Sequence, residues 1–164
     1  MKNTKKLTIY GLLIALALVL SYVESLVPAF FAIPGMKLGL TNIVVVVALY
    51  KMDSKSAVAI NIVRIILVSA LFGNAATLAY SIGGGVLSLI VMIVIKRTGK
   101  FSIMAVSACG GIAHNLGQIL VAMALLYTAE IGYYMIVLWF TGIITGLIIG
   151  EVSGMVVKRL PDNM

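Results

Sequence analysis

The sequence predicts an all-α integral membrane protein, and its composition and apolar patterning both support that fold class. Apolar residues make up 62% of the 164 positions and charged residues only 10%, with a mean hydropathy of +1.18. Soluble domains carry about 25% charged residues, so this chain has too little polar surface to cover itself in water. Its long apolar runs lack the alternation of a membrane-spanning strand, whereas helices satisfy their own backbone hydrogen bonds in hydrocarbon. We therefore expect one compact transmembrane domain over residues 1–164.

Six apolar segments predict a compact bundle of six transmembrane helices. A span needs about 20 residues, and the segments cover residues 7–23, 38–50, 56–71, 75–95, 102–127 and 132–157. The second and third are short, so we expect their ends to be buried in protein. The first follows basic residues, as in a signal peptide, but its apolar run is long and no small-x-small cleavage site follows. We interpret it as a span.

The basic residues predict the orientation of the bundle. Ten of the twelve Lys and Arg residues fall in segments that are cytoplasmic if the N-terminus is inside. These residues are Lys2, Lys5, Lys6, Lys51, Lys55, Lys96, Arg97, Lys100, Lys158 and Arg159. The bias follows the positive-inside rule and predicts that both termini are cytoplasmic, at the cell membrane. Because these residues surround helix ends and form no single patch, we expect no nucleic-acid partner.

One long loop separates the first two spans on the predicted outer side. Residues 24–39 read ESLVPAFFAIPGMKLG, an apolar stretch with two prolines. Such a loop either anchors at the membrane surface or folds over the bundle as a lid, and both interpretations stay open.

Arg64 lies near the middle of the third span, with Asn61 on the same helical face. Insertion of an arginine at a helix centre costs about 2.5–3.5 kcal/mol, so the side chain is expected to point inward. It would act either as the counter-charge for an anionic substrate or as a salt-bridge partner of Glu151 in span six.

The fifth span carries the only histidine, within GGIAHNLGQ. His114 and Gln118 are four residues apart and share one face, while Asn115 lies about 100° around the helix. Such a polar stripe must face other helices, because hydrocarbon would leave its donors unpaired. It is either a hydrogen-bonded core or a ligand contact.

A glycine strip marks the sixth span. Gly142, Gly146, Gly150 and Gly154 recur every four residues, a spacing that lets another helix approach closely. Catalytic motifs are missing, since the sequence has no phosphate-binding loop and no Ser–His–acid set, and its only aspartates are Asp53 and Asp162. We expect no catalytic residue, metal or cofactor, and therefore energy coupling only through partner proteins.

Five stretches, in order along nearly the whole chain, carry a family resemblance. They read ALVLSYVESLVP, PGMKLGLTNIVVVVALY, NIVRIILVSALFGN, YSIGGGVLSL and GGIAHNLGQILVA. On these motifs the chain resembles the substrate-binding (S) components of energy-coupling factor (ECF) transporters. Within these it is similar to the Gx transporter group, often labelled heptaprenyl diphosphate synthase component I.

The resemblance implies a protein that captures a small vitamin-like or isoprenoid molecule in the outer half of the bundle. Its implied partners are a transmembrane coupling subunit and two ATPase subunits, docked through small residues of span one, here Gly11 and Ala15. The synthase label does not imply prenyl chemistry by this chain, because chain elongation needs Mg²⁺ on clustered aspartates.

The candidate substrate contacts are polar residues of the lid root, the outer helix ends and the polar spans. They are Glu24, Lys37, Asn42, Arg64, Asn74, His114, Asn115 and Gln118. Lys37 is the only basic residue in an outer loop, so an anionic or phosphorylated substrate would find its counter-charge there.

Two rival functions remain. The chain would serve as the membrane subunit or anchor of a polyprenyl diphosphate synthase or quinone-biosynthesis complex. Alternatively, it would be a self-sufficient channel or carrier, dimerised through the glycine strip. The second rival is disfavoured because such carriers usually show two related halves.

Overall fold

The computed structural model describes residues 2–26 and 39–161, and within them every regular segment is a helix. Helix α1 covers Lys2–Leu26, α2 Asn42–Lys51, α3 Ser54–Phe72, α4 Ala75–Arg97, α5 Ile103–Leu126 and α6 Met135–Arg159, with a 3₁₀ helix at Ala129–Tyr134 before α6. The all-α prediction is confirmed for these residues. Most of the predicted lid, including Lys37, lies outside the described residues.

The number of full-length spans differs from the prediction. Five of the helices are long and apolar enough to cross a membrane, which makes the chain a multi-pass membrane protein. The exception is α2, which has ten residues and is therefore about 15 Å long, half the thickness of the hydrocarbon core. The predicted second segment is therefore present as a short apolar helix, and five of the six helices have the length of a full span.

Protein, and not lipid, surrounds the short helix α2. Its residues from Val44 to Leu49 are at most 3% exposed, and it packs against α1, α3, α4 and α6. A helix enclosed in this way needs no lipid-matched length. The expectation that short segments end inside protein is confirmed for α2.

Two contacts show that α2 returns the chain across the bundle. At one end, the amide of Gly39 donates to Oε1 of Glu24 in the last turns of α1 at 2.5 Å. At the other end, Lys6 Nζ lies 3.7 Å from Asp53 Oδ2, just before α3. Helices α1 and α3 therefore begin at the same end of the bundle. The residues that precede α2 lie beside the last turns of α1.

The glycine strip packs α6 on α5 within the same chain. A Cβ added at Gly146 would lie 2.6 Å from Ala108 Cα, and one at Gly150 would lie 2.6 Å from Met104 Cα. Gly142 is also buried and faces Gly111 of α5. Close helix packing is confirmed, but dimerisation through this strip is wrong, because α5 already covers it. Only Gly154 has open space above it.

The helix ends that carry the basic residues gather at one end of the bundle. Lys96 of α4 donates to the Leu49 carbonyl and lies 4.8 Å from the centre of the Tyr50 ring, which joins α4 to the end of α2. Leu160 packs on the same apolar core cluster as Met52 and Ile95. The side of the membrane that this end faces stays a prediction.

Candidate functional site

A buried network around Arg64 joins α2 and α3. Arg64 is 6% exposed, and its Nε and Nη2 donate to Asn61 Oδ1 at 3.0 and 2.8 Å. Nη2 also donates to Asn42 Oδ1 at 3.1 Å, and Nη1 donates to Thr41 Oγ1. Three neutral side chains thus supply oxygen atoms to one guanidinium group, in the middle of a membrane-spanning helix.

Helix α4 completes this network through its backbone. Asn61 Nδ2 donates to the Gly85 carbonyl at 3.1 Å, and a Cβ at Gly85 would lie 2.9 Å from Ile65 Cδ1. Glycine at this position therefore permits the close approach of α3 and α4. The predicted salt bridge between Arg64 and Glu151 is wrong, because Glu151 is exposed on α6 and forms no ion pair with a described residue.

Glu24 ties the end of α1 to the chain that precedes α2. Its Oε1 accepts hydrogen bonds from the amides of Gly39, at 2.5 Å, and Leu40, at 3.3 Å. Gly39 has a φ of +85°, a left-handed conformation that favours glycine. The carboxylate is also close enough to attract the Arg64 charge. Opposite charges from α1 and α3 therefore share one buried site.

His114 and Gln118 of α5 form the opposite wall. The amide nitrogen of Gln118 lies 2.9 Å from His114 Nε2, and because an amide nitrogen only donates, that ring nitrogen accepts. A Cβ on Gly84 would come within 2.9 Å of the His114 carbonyl oxygen. The glycine run of α4 therefore admits α5 and brings its polar stripe toward Arg64.

These side chains line a small cavity of about 10 Å³, room for about one water molecule. Helices α1, α3, α4 and α5 and the residues preceding α2 all contribute to its lining. The lining residues are Ser21, Glu24, Gly39, Thr41, Arg64, Ile65, Val68, Ser81, His114 and Gln118.

The structure brings four of the predicted contact residues to this cavity: Glu24, Arg64, His114 and Gln118. Asn42 lies immediately behind them as a partner of Arg64. Asn115 instead donates to the Leu138 carbonyl of α6 at 2.7 Å, and Asn74 caps α4 by accepting from Thr77 N at 2.9 Å. Neither of these two lines the cavity.

The two predicted docking residues lie on an open face of α1. Gly11 and Ala15 are both exposed, and an added Cβ at Gly11 would meet nothing within 4 Å. Their small size is therefore not required for packing against any described residue.

Sequence reasoning missed Ser21, Thr41 and Ser81 in the lining. Ser21 lies one helical turn before Glu24, so their shared face was readable from the spacing. Thr41 directly precedes Asn42, but its contact with Arg64 depends on how α2 and α3 meet. No local pattern distinguished Ser81 from other serines. Among the described residues, no three His, Cys, Asp or Glu side chains come together as metal ligands.

Comparison with known proteins supplies the family. No curated protein and no solved structure matches the chain. A model of the family described as heptaprenyl diphosphate synthase component I matches residues 13–156, which include part or all of each of the six helices. Its description is of one component of a synthase, which implies a multi-subunit complex, whereas the relation to ECF S components stays a prediction. The chain belongs to the heptaprenyl diphosphate synthase component I family.

Proposed function

We propose that this chain is a non-catalytic membrane component of a multi-subunit complex and that the Arg64 cavity binds a small polar molecule. In this proposal it lies in the cell membrane with both termini in the cytoplasm. The observation that carries the proposal is the buried guanidinium of Arg64, whose hydrogen bonds to described residues all go to neutral oxygens, beside a polar cavity.

The cost of this cluster supports a functional role. An ionisable residue in a span costs about 2.5–3.5 kcal/mol on insertion scales and most often marks a substrate or ion pathway. Polar side chains of α1 and α5 line the same cavity as Arg64. A polar side chain of its own helix, Asn61, also bonds to it. A purely structural strut would need the partners on α2 and α3 but not His114 and Gln118 across the cavity.

The charge balance of the cavity limits the class of ligand. Its lining contains one Arg, one Glu and a His whose Nε2 accepts a hydrogen bond. Among the described lining residues the formal charges of Arg64 and Glu24 cancel, so these residues offer a diphosphate no excess counter-charge. A neutral or zwitterionic molecule fits better. Because the cavity has room for about one water molecule, binding of a larger molecule requires the cavity to widen.

The first candidate complex is a polyprenyl diphosphate synthase or quinone-biosynthesis assembly. Membership of the synthase component I family over residues 13–156 supports it. In such a complex the chain would anchor a catalytic partner at the membrane, since its sequence has no cluster of aspartates to hold Mg²⁺.

The second candidate is the S component of an ECF-type transporter. Two observations favour it: polar residues from several helices converge on one cavity, and the small residues Gly11 and Ala15 lie on an open face of α1. The bound molecule would be imported after docking on a coupling subunit with two ATPases.

Native mass spectrometry of the gently purified, tagged protein tests the proposal and separates the two complexes. We expect a retained small molecule that is lost on His114→Ala and on Arg64→Met, but kept in the lipid-facing control Ile90→Ala. Co-purification of a prenyl synthase subunit supports the anchor, and co-purification of ATPases supports the transporter. A protein that carries no molecule from the cell, or one that both cavity variants keep, overturns the binding site.

A further inference from the structure

Glu151 is an acidic side chain on the apolar outer surface of α6. It lies seven residues before Lys158, about 10 Å along the helix axis, within the apolar candidate span Ala129–Arg159. The side chain is exposed, and no hydrogen bond or ion pair joins it to a described residue. An ionisable group in a span is costly and most often functional, so this carboxylate needs a partner from outside the bundle.

The packing of α6 leaves this part of the helix open on one side. Ser153 is 0% exposed and donates to a backbone carbonyl of α2 at 3.5 Å, whereas Glu151 points about 200° away from it around the helix. Helix α5 does not cover the open side, because Gly150 already faces Met104 in the first turn of α5. An added Cβ at Gly154, one turn after Glu151, would meet nothing within 4 Å.

One face of α6 therefore combines a carboxylate, room for a close helix approach and apolar side chains. Leu147 and Met155 lie one turn before and one turn after Glu151 and are 39% and 48% exposed. Gly154 has the small size that lets another helix approach closely in a membrane. These residues, with Lys158 at the end of the helix, are called the α6 face below.

A second copy of this chain does not supply the missing positive charge. Two copies related by a two-fold axis along the membrane normal present each residue at the same depth. The exposed basic residues that the structure describes all lie near helix ends, and Arg64, inside a span, is buried. They are Lys6, Lys55, Arg97, Lys100, Lys158 and Arg159. Lipid tails carry no hydrogen-bond donor, so neither a copy nor hydrocarbon satisfies Glu151.

We propose that the α6 face binds a membrane helix of another subunit, one that presents a Lys or Arg among apolar residues. The basic side chain of this helix pairs with Glu151, and its backbone approaches at Gly154. Complementary charge is what gives such a contact its specificity. The inference rests on the proposed membership of a multi-subunit complex. It adds a docking face that shares no residue with the Arg64 cavity or with Gly11 and Ala15.

Photocrosslinking in the membranes of the producing cells tests this face. The tagged, full-length chain carries benzoylphenylalanine in place of Met155, on the α6 face, or in place of Ile90, which is 53% exposed on α4. After irradiation, protein adducts are separated from lipid adducts and mapped to peptides by mass spectrometry. We expect a protein adduct from position 155 and lipid adducts from position 90. The crosslinked peptide should contain a Lys or Arg within an apolar segment.

Charge variants test whether Glu151 makes the contact. Glu151→Gln should lower the yield of the protein adduct at least about 5-fold, the value of a close charge pair, and Glu151→Lys should abolish it. Exchanging the mapped basic residue of the partner for Glu should restore the adduct of Glu151→Lys. Glu130→Gln, which removes an exposed acid in the 3₁₀ helix, is the matched control and should leave the yield unchanged.

Folding is checked separately. Because Glu151 is exposed and bonds to no described residue, Glu151→Gln should elute like wild type in gel filtration of the purified protein. Glu151→Lys should also retain the molecule held by the cavity, since Glu151 does not line it. Failure of the α6 face and failure of the Arg64 cavity are therefore distinct results.

Four results would overturn the proposal. Adducts with lipid alone, or only with a second copy of this chain, would exclude the partner helix. The same protein adduct from positions 155 and 90 would exclude a specific face. A yield that Glu151→Gln leaves unchanged would exclude the ion pair, as would a charge exchange that restores no adduct.

Discussion

Asn61 holds the guanidinium of Arg64 from one helical turn away, accepting from Nε at 3.0 Å and from Nη2 at 2.8 Å. The same amide donates to the Gly85 carbonyl of α4. One side chain therefore fixes the direction of the buried charge and the spacing of α3 and α4.

Replacing Asn61 by Leu should destabilise the protein markedly. A hydrogen bond to a charged group contributes about 1.5–3 kcal/mol, and Leu removes the acceptor of two such bonds. We expect the free energy of unfolding, measured by SDS titration of the protein in detergent, to fall by at least about 2 kcal/mol. Ile62→Ala, one residue along and 49% exposed, is the control. An equal loss in both variants would contradict the role of Asn61.

Arg64 and Glu24 should be coupled in stability. Both side chains are buried at one cavity, and removing one of two opposite buried charges leaves the other uncompensated. We expect Arg64→Met to be strongly destabilising and the added Glu24→Gln to recover at least about 1 kcal/mol, the size of a contact coupling. The measurement is a double-mutant cycle by SDS-induced unfolding. Strictly additive losses would show that the two charges do not interact.

Gly146 should tolerate no side chain, in contrast to Gly154 on the same helix. A Cβ at Gly146 would lie 2.6 Å from Ala108 Cα, whereas one at Gly154 would meet nothing within 4 Å. We expect Gly146→Ala to lower the free energy of unfolding by about 1–3 kcal/mol through overpacking. Gly154→Ala should leave it unchanged or raise it, since Ala favours helix. Equal behaviour of the two variants would contradict the close α5–α6 crossing.

Asp53 should stabilise the start of α3 in a pH-dependent way. Its Oδ1 accepts from Ser56 N at 2.6 Å, and this bond, with a smaller contribution from Lys6, lowers the pKa of the carboxyl. A lowered pKa in the folded state means that the stabilisation is present above the unfolded value of about 3.9 and is lost as the pH falls through the folded value.

The comparison of Asp53→Ala with Asp53→Asn measures this effect. We expect Ala to cost about 1 kcal/mol at neutral pH, the usual value of an N-cap, and Asn to cost less because it also caps helices. The ion pair with Lys6 is exposed and should add little. The measurement is thermal unfolding between about pH 2 and pH 7, and the difference between wild type and Ala should begin to shrink as the pH falls below about 3.9, the unfolded value. A difference between wild type and Ala that stays the same from pH 7 down to about pH 2 would contradict the assignment.

The position of Asn74 shows where sequence reasoning was insufficient. Its place at an outer helix end predicted a contact in the same pocket as His114, and the structure puts it outside that cavity, where it caps the start of α4. Asn115, next to His114 in the chain, faces α6 instead. Neighbours in sequence diverge because a helix turns by about 100° per residue, and the choice between two inward faces depends on which helix packs there.

The sequence alone determined the membrane environment, the helical class, five of the six helices as spans and the close packing of the α6 glycine strip. These properties follow from composition and from periodicities of a few residues, which are local. Only the tertiary structure decided that α2 is a ten-residue helix enclosed by protein. It also decided that Arg64 takes its partners from α2 and α3 and not from Glu151. These outcomes depend on which helix faces meet across the bundle, and a local pattern shows that a face is buried without showing what it meets.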